Sequence, residues 1–147
     1  MIVYELMSSA DTAQVANIEK MCFSSPWSEN AIIGELNNPL SLWIVAKIGC
    51  SVIGYVGSQS VMGEADMMNL AVHPDYRRRG IGGALVTCLI ERLSVRDVHS
   101  LTLEVRASNN AAKVLYDSLG FLQVGRRPNY YSMPKEDALI LRKEWSL

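Results

Sequence analysis

The segment Val72-His73-Pro74-Asp75-Tyr76-Arg77-Arg78-Arg79-Gly80-Ile81-Gly82-Gly83 sets three arginines against three glycines where a strand-like run gives way to a helical one. The first turn of a helix has unpaired backbone N–H groups and the positive end of the helix dipole, a combination that binds phosphate. Gly80, Gly82 and Gly83 remove side chains that would keep a pyrophosphate from the backbone. Arg77, Arg78 and Arg79 add positive charge where an anion would lie. No Gly-Lys-Ser/Thr closes the turn, which excludes a Walker-type loop. The three-glycine spacing of a Rossmann fingerprint is also missing. Taken alone, the segment reads equally well as a solvated basic turn ahead of an amphipathic helix.

Two more side chains could move protons. In Leu101-Thr102-Leu103-Glu104-Val105-Arg106, strand alternation puts the leucines and Val105 on one face and Glu104 on the other, with Thr102 and Arg106. Glu104 there is either a solvent-facing partner of Arg106 or a general base. Tyr116, twelve residues on, lies in a helical stretch, where it is either a packing residue or a general acid.

The elements that must position these groups follow from periodicity and breakers. Ile2–Leu6 reads as a strand. Asp11 is placed to cap a helix to about Cys22, and Ser28, after the Ser24–Trp27 loop, to cap a second helix through Leu36. Leu42–Ile48, Val52–Met62 and Ala65–Val72 form an antiparallel meander. Ile81, Leu85, Leu89 and Leu93 recur at four-residue intervals, which predicts a helix from Ile81 to about Ser94. A strand follows over Leu101–Val105, then a helix over Asn109–Leu119 closed by Gly120. Phe121–Arg127 and Asp137–Trp145 complete a hairpin with a long loop.

The 147 residues suit one domain over 1–147, 49% of them hydrophobic and 20% charged. A net charge of −1 gives no reason to expect direct nucleic-acid or membrane binding. Cys22, Cys50 and Cys88 form no C-x-x-C pair, so neither a disulfide framework nor a metal site is expected. The amino terminus lacks signal-peptide features, and no apolar run approaches about 20 residues, so a cytoplasmic location is expected.

The chain resembles the GNAT superfamily of acetyltransferases. Arg77-Arg78-Arg79-Gly80-Ile81-Gly82 is similar to its Arg/Gln-x-x-Gly-x-Gly/Ala motif. The likeness is closer to the RimI type, the ribosomal-protein-alanine N-acetyltransferases. It runs through Pro26-Trp27-Ser28-Glu29, Asn69–Tyr76, Leu103–Asn109, Leu115–Phe121, Arg127-Pro128-Asn129-Tyr130-Tyr131 and Glu136-Asp137-Ala138. The glycine loop is superfamily-wide, whereas the Glu-Val-Arg-Ala-Ser-Asn run and the Asn-Tyr-Tyr hairpin are far more specific.

The resemblance implies an α/β (α+β) GNAT fold, a single domain in which a mixed, mostly antiparallel sheet of about seven strands is flanked by four helices. The implied order is β-α-α-β-β-β-α-β-α-β-β. It implies acetyl-CoA as co-substrate, no metal, and a protein N-terminus as acceptor, foremost the terminal alanine of a small-subunit ribosomal protein. Glu104 would be the general base and Tyr116 the general acid. Leu70, Ala71 and Val72 would run beside the pantetheine arm, Arg77 through Gly83 would hold the pyrophosphate, and Asn109 would bond the cofactor near its reactive end. Trp27, Tyr130 and Tyr131 would hold the acceptor peptide. A broader N-terminal acetyltransferase, a small-amine acetyltransferase and an acyl-CoA-binding sensor module are the alternatives.

Overall fold

The computed structural model describes residues 1–146. The elements are β1 (Val3–Leu6), α1 (Thr12–Cys22), α2 (Glu29–Leu36), β2 (Ser41–Ile48), β3 (Ser51–Val61), β4 (Glu64–Val72), α3 (Ile81–Val95), β5 (Ser100–Arg106), α4 (Asn110–Ser118), β6 (Leu122–Ser132) and β7 (Lys135–Glu144). Their order is the expected one. The seven strands form one sheet in the order β1-β2-β3-β4-β5-β7-β6, with β4 and β5 parallel and every other neighbour antiparallel. Among the described residues, no helix is long and apolar enough to cross a membrane.

Both faces of the sheet are covered, which is why Leu42–Ala46 of β2 is buried without a break. Alternation sends Leu42, Ile44 and Ala46 to the face where Ile81, Leu85, Leu89 and Leu93 of α3 pack. Trp43 and Val45 go to the other face, against Val15 and Ile18 of α1 and Ile32 of α2. The Ser28 hydroxyl caps α2 as expected, accepting the Ala31 N–H at 3.1 Å.

Asp11 requires a correction. It occupies the cap position of α1 but makes no side-chain cap bond. Its buried carboxylate instead accepts from the Ser8 N–H at 2.8 Å and pairs with Lys47 Nζ at 2.6 Å, tying α1 to β2. Burial alone would raise its pKa, but bonds to Lys47 and Ser8 outweigh that and hold it below the usual range.

The final hairpin also differs from expectation. Its strands run on to Ser132 and from Lys135, leaving a short turn rather than a long loop. Pairing passes from Arg127↔Ala138 to Tyr131↔Glu136, so three residues bulge out against one. Pro128 has no N–H for the ladder, and Asn129 takes a left-handed φ of 56°. Asp137 accepts the displaced Asn129 N–H at 2.8 Å and Arg126 Nε at 2.7 Å, which lets pairing resume.

The decisive irregularity lies in the middle of the sheet. β4 and β5 pair at Glu64↔Ser100, Ala65↔Leu101 and Asp66↔Thr102, and then part while each strand continues. On the other edge of β4 the register passes from Ser58↔Met67 to Gly57↔Asn69, which makes Met68 an extra residue. A bulge of this kind bends its strand, and this one falls where β4 leaves β5.

Gly57 sits opposite that bulge, and a Cβ there would overlap the Trp43 indole. Gly57→Ala is expected to destabilise the fold by about 1–3 kcal/mol in urea titrations. Asp11 contributes stability that is present above its ordinary pKa of 3.8 and lost as pH falls through its lower folded value. Unfolding curves of Asp11→Asn should therefore lose less stability than wild type over that acid window.

Candidate active site

A cleft of about 850 Å³ opens where β4 and β5 part. Asp66–Leu70 and Thr102–Arg106 form its floor, and Phe23, Ser24, Ser25 and Trp27 approach from the α1–α2 loop. Asn109, Leu115 and Tyr116 come from the α4 side, and Arg127, Tyr130 and Tyr131 from β6.

Glu104 follows the expected alternation: Leu101, Leu103 and Val105 are core residues, while the Glu104 side chain faces the cleft at 27% exposure. Arg106 is not its partner. That guanidinium pairs with Glu136 at 3.3 Å, donates to the Pro134 carbonyl at 2.9 Å, and lies 4.3 Å above the Tyr131 ring. The cation beside Glu104 is Arg127, at a loose 3.9 Å. Tyr130 lies close enough that a hydrogen bond to Glu104, and then its negative charge, push the phenol pKa up. Tyr131 is pushed up as well, first by burial and then by Glu104.

Tyr116 is both a packing residue and a cleft residue. Its ring meets Phe121 edge-on at 5.4 Å, and burial drives its pKa well above the ordinary phenol value, so it keeps its proton at neutral pH. The hydroxyl donates to the Met67 sulfur in the cleft floor, 3.7 Å away. The wall of this cleft thus already presents an O–H to a sulfur acceptor. Asn109 caps α4, its Oδ1 accepting the Ala112 N–H at 3.1 Å, and among the described residues its amide N–H groups have no hydrogen-bond partner.

The glycine-rich entrance of α3 lies outside the walls of this cleft, at the end of β4. Gly80 takes a left-handed φ of 75° with nothing within 4 Å of where a Cβ would stand, and no side chain caps the helix. The first-turn N–H groups are therefore open to an outside acceptor. At Gly82 and Gly83 a Cβ would make ordinary contact with Leu115, at 3.7 and 3.4 Å, so packing does not demand glycine there. The three arginines differ. Arg77 is committed to the Val72 carbonyl at 3.3 Å and the Cys22 sulfur at 3.3 Å, and Arg79 lies 5.1 Å above the Tyr76 ring. Among the described residues, Arg78 has no side-chain hydrogen bond or ion pair.

Glu104, Tyr116, Leu70, Asn109, Trp27, Tyr130 and Tyr131 therefore share one cleft. Ala71 is buried beneath α1, and the Val72 carbonyl is taken by Arg77. Sequence reasoning missed Met67, Asn69 and Arg127 as cleft residues, and it missed the buried Glu19 behind them. Glu19 carried a usable signal, since it follows Val15 by four residues on the apolar stripe of α1.

Comparison with known proteins places the chain in a family. Residues 12–121 match the Acetyltransferase (GNAT) family. The ribosomal protein bS18-alanine N-acetyltransferase of Salmonella typhimurium is 40% identical over 139 residues, covering 92% of this chain and 93% of that one. The crystal structure of the ribosomal-protein-S18-alanine N-acetyltransferase from Escherichia coli matches with a TM-score of 0.91 and 36% identity, over 100% of this chain and 96% of the other. The NatC complex bound to Gag peptide and CoA matches with a TM-score of 0.84 and 25% identity, over 99% of each chain.

Arg78→Ala is expected to raise the Kd for acetyl-CoA by about tenfold, the loss of one charge-assisted hydrogen bond, in calorimetric titration. The difference from wild type should shrink at high salt. Arg77→Ala should change Kd less and lower the thermal midpoint more, because its guanidinium is engaged inside the protein.

Proposed function

This chain belongs to the GNAT family of acetyltransferases and is an acetyl-CoA-dependent N-acetyltransferase; we propose that its acceptor is the α-amine at the N-terminus of a protein, foremost the terminal alanine of a small-subunit ribosomal protein. The observation that carries this reading is the cleft at the β4–β5 parting, which gathers a carboxylate, a protonated phenol and an unpaired strand edge. The names of the Salmonella and Escherichia coli relatives support the alanine acceptor. The proposal places the enzyme in the cytoplasm with that acceptor.

An α-amine has a pKa of about 7.7–8.0, so much of it is protonated and unreactive near neutral pH. Glu104 takes the proton as the amine attacks the thioester carbonyl, and a positioned base contributes about 10²–10⁴-fold. Backbone N–H groups of Leu70–Val72 are the proposed donors to the oxyanion, with the Leu70 N–H shared between it and Asn69 Oδ1 at 3.2 Å, one well-placed donor being worth about 3–4 kcal/mol in other enzymes. Tyr116, whose hydroxyl already faces a sulfur, donates to the thiolate as it leaves. Pyrophosphate is held by the first turn of α3 with Arg78 and Arg79, while Arg77 braces the loop. Asn109 offers its amide to the cofactor near the reactive end. Trp27, Tyr130 and Tyr131 enclose the first residues of the acceptor, and the two phenols sit within the field of Glu104. No side-chain nucleophile is required, because holding amine and thioester together supplies much of the acceleration.

Peptides beginning with alanine, serine or methionine, assayed by mass spectrometry beside small amines such as spermidine, should show alanine preferred and the small amines idle. Equal use of all three peptides would broaden the acceptor class, and preferential use of a small amine would overturn the reading. Glu104→Gln should lower kcat by about 10²-fold or more with acetyl-CoA Kd nearly unchanged. Tyr116→Phe should slow turnover while the domain stays folded by circular dichroism, and normal kinetics in that variant would return Tyr116 to packing alone.

A further inference from the structure

Glu19 of α1 has no exposed surface, and it is a carboxylate. Among the described residues no Lys, Arg or His lies within ion-pair distance of it. Three donors from three separate segments satisfy it instead. The Trp27 backbone N–H reaches Oε1 at 2.9 Å, and the Tyr55 hydroxyl and the Asn69 side-chain amide both reach Oε2. Burying such a group is costly unless hydrogen bonds satisfy it, and a fully satisfied buried network holds its members rigidly in place.

What these bonds hold is informative. Trp27 belongs to the loop on the acceptor side of the cleft, and its ring meets Trp43 at 5.6 Å, which in turn stacks on Tyr55 at 5.9 Å. Asn69 lies on β4 beside the bulge at Met68, in the floor of the same cleft. With its amide nitrogen on Glu19, Asn69 turns its Oδ1 to the Leu70 N–H, 3.2 Å away. One buried carboxylate thus orients the backbone of the acceptor loop and the strand edge that would flank the thioester.

We propose that Glu19 is a positioning residue that sets the spacing between the acceptor amine and the acetyl thioester without touching either. The proposal rests on the reading that both substrates meet in this cleft. Glu19→Gln tests it, because glutamine has the same shape but one oxygen and one NH2. That NH2 cannot accept, so it must face either the Trp27 N–H or the Asn69 amide. If Asn69 flips to accept from it, the Asn69 nitrogen turns toward the Leu70 N–H, and two donors oppose each other.

Misplacement of reacting groups by about 1 Å can cost about 10²-fold. Glu19→Gln is accordingly expected to lower kcat/KM for an alanine-initiated peptide by about 10²-fold, shared between kcat and peptide KM. The Kd for acetyl-CoA, whose pyrophosphate the α3 entrance would hold, should stay within about threefold, a change of less than 1 kcal/mol. Asn69→Ala should lower kcat in the same way, and the double variant should be no worse than the poorer single one. Amide hydrogen exchange at Trp27 and Leu70 should accelerate in Glu19→Gln beyond any change in the core of α3.

Wild-type kcat and peptide KM in Glu19→Gln would overturn the proposal, as would a lowered thermal midpoint with normal kinetics per folded molecule. Fully additive losses in the double variant would overturn it too. If Glu19→Gln fails to fold, Asn69→Ala decides, because it leaves Glu19 its bonds to Trp27 and Tyr55. A wild-type enzyme that acetylates none of the peptides would refute the acceptor reading, and unchanged exchange at Trp27 and Leu70 would separately refute the role of Glu19.

Discussion

The structure depends on a hydrogen-bond ladder that stops. β4 and β5 share three residue pairs and then separate, although both strands continue and much of their surroundings is packed. The parting leaves backbone N–H and C=O groups facing the cleft without strand partners, an edge along which an extended molecule can pair. The same parting exposes the second face of β5, and with it Glu104, to a cavity in the middle of a sheet. Tyr116 reaches that cavity from α4, its ring edge-on to Phe121 just past the left-handed turn at Gly120. The extra residue at Met68 is the local device, but the cleft belongs to the whole sheet.

The two layers that enclose this opening are held by different physics. α3 packs through Ile81, Leu85, Leu89 and Leu93, an apolar contact that is large and not directional. α1 and α2 have an apolar contact as well, but it is pinned by buried carboxylates. Asp11 pairs with Lys47, Glu19 gathers Trp27, Tyr55 and Asn69, and Glu35 accepts from Trp43 at 3.3 Å and Gln59 at 2.9 Å. Hydrogen bonds add little net stability each, yet they penalise small displacements sharply. Under the proposed function, the layer that would hold the acceptor at a set distance is the one fastened by directional contacts, and the layer carrying the arginine–glycine entrance is fastened by apolar packing.

Electrostatics inside the cleft is similarly divided. Arg106 is consumed by Glu136 and the β6–β7 turn, and Arg77 by Val72 and Cys22, so neither is free to neutralise Glu104 or a ligand. Arg127 stays loose at 3.9 Å. Two phenols beside Glu104 are held in their neutral form, which would suit the proposed entry of a cationic ammonium and release of a neutral amide.

Much of this was legible in the chain itself. The alternation that turns Glu104 away from Leu103 and Val105, the four-residue spacing of α3 and the arginine–glycine entrance are local patterns, written within a few residues of one another. Local geometry therefore placed the elements in order and separated the polar from the apolar side of each. Pairing partners are not local. That Arg106 would choose Glu136, 30 residues away, over neighbouring Glu104 depends on a hairpin register that Pro128 and Asn129 shift. That Asp11 would serve Lys47 rather than its own helix depends on where β2 passes. Glu19 drew no notice on an otherwise ordinary helix because its three donors come from residues 8, 36 and 50 positions away. Side-chain type and spacing announced which groups could do chemistry; only folding, which sets distances between segments remote in sequence, decided which of them meet.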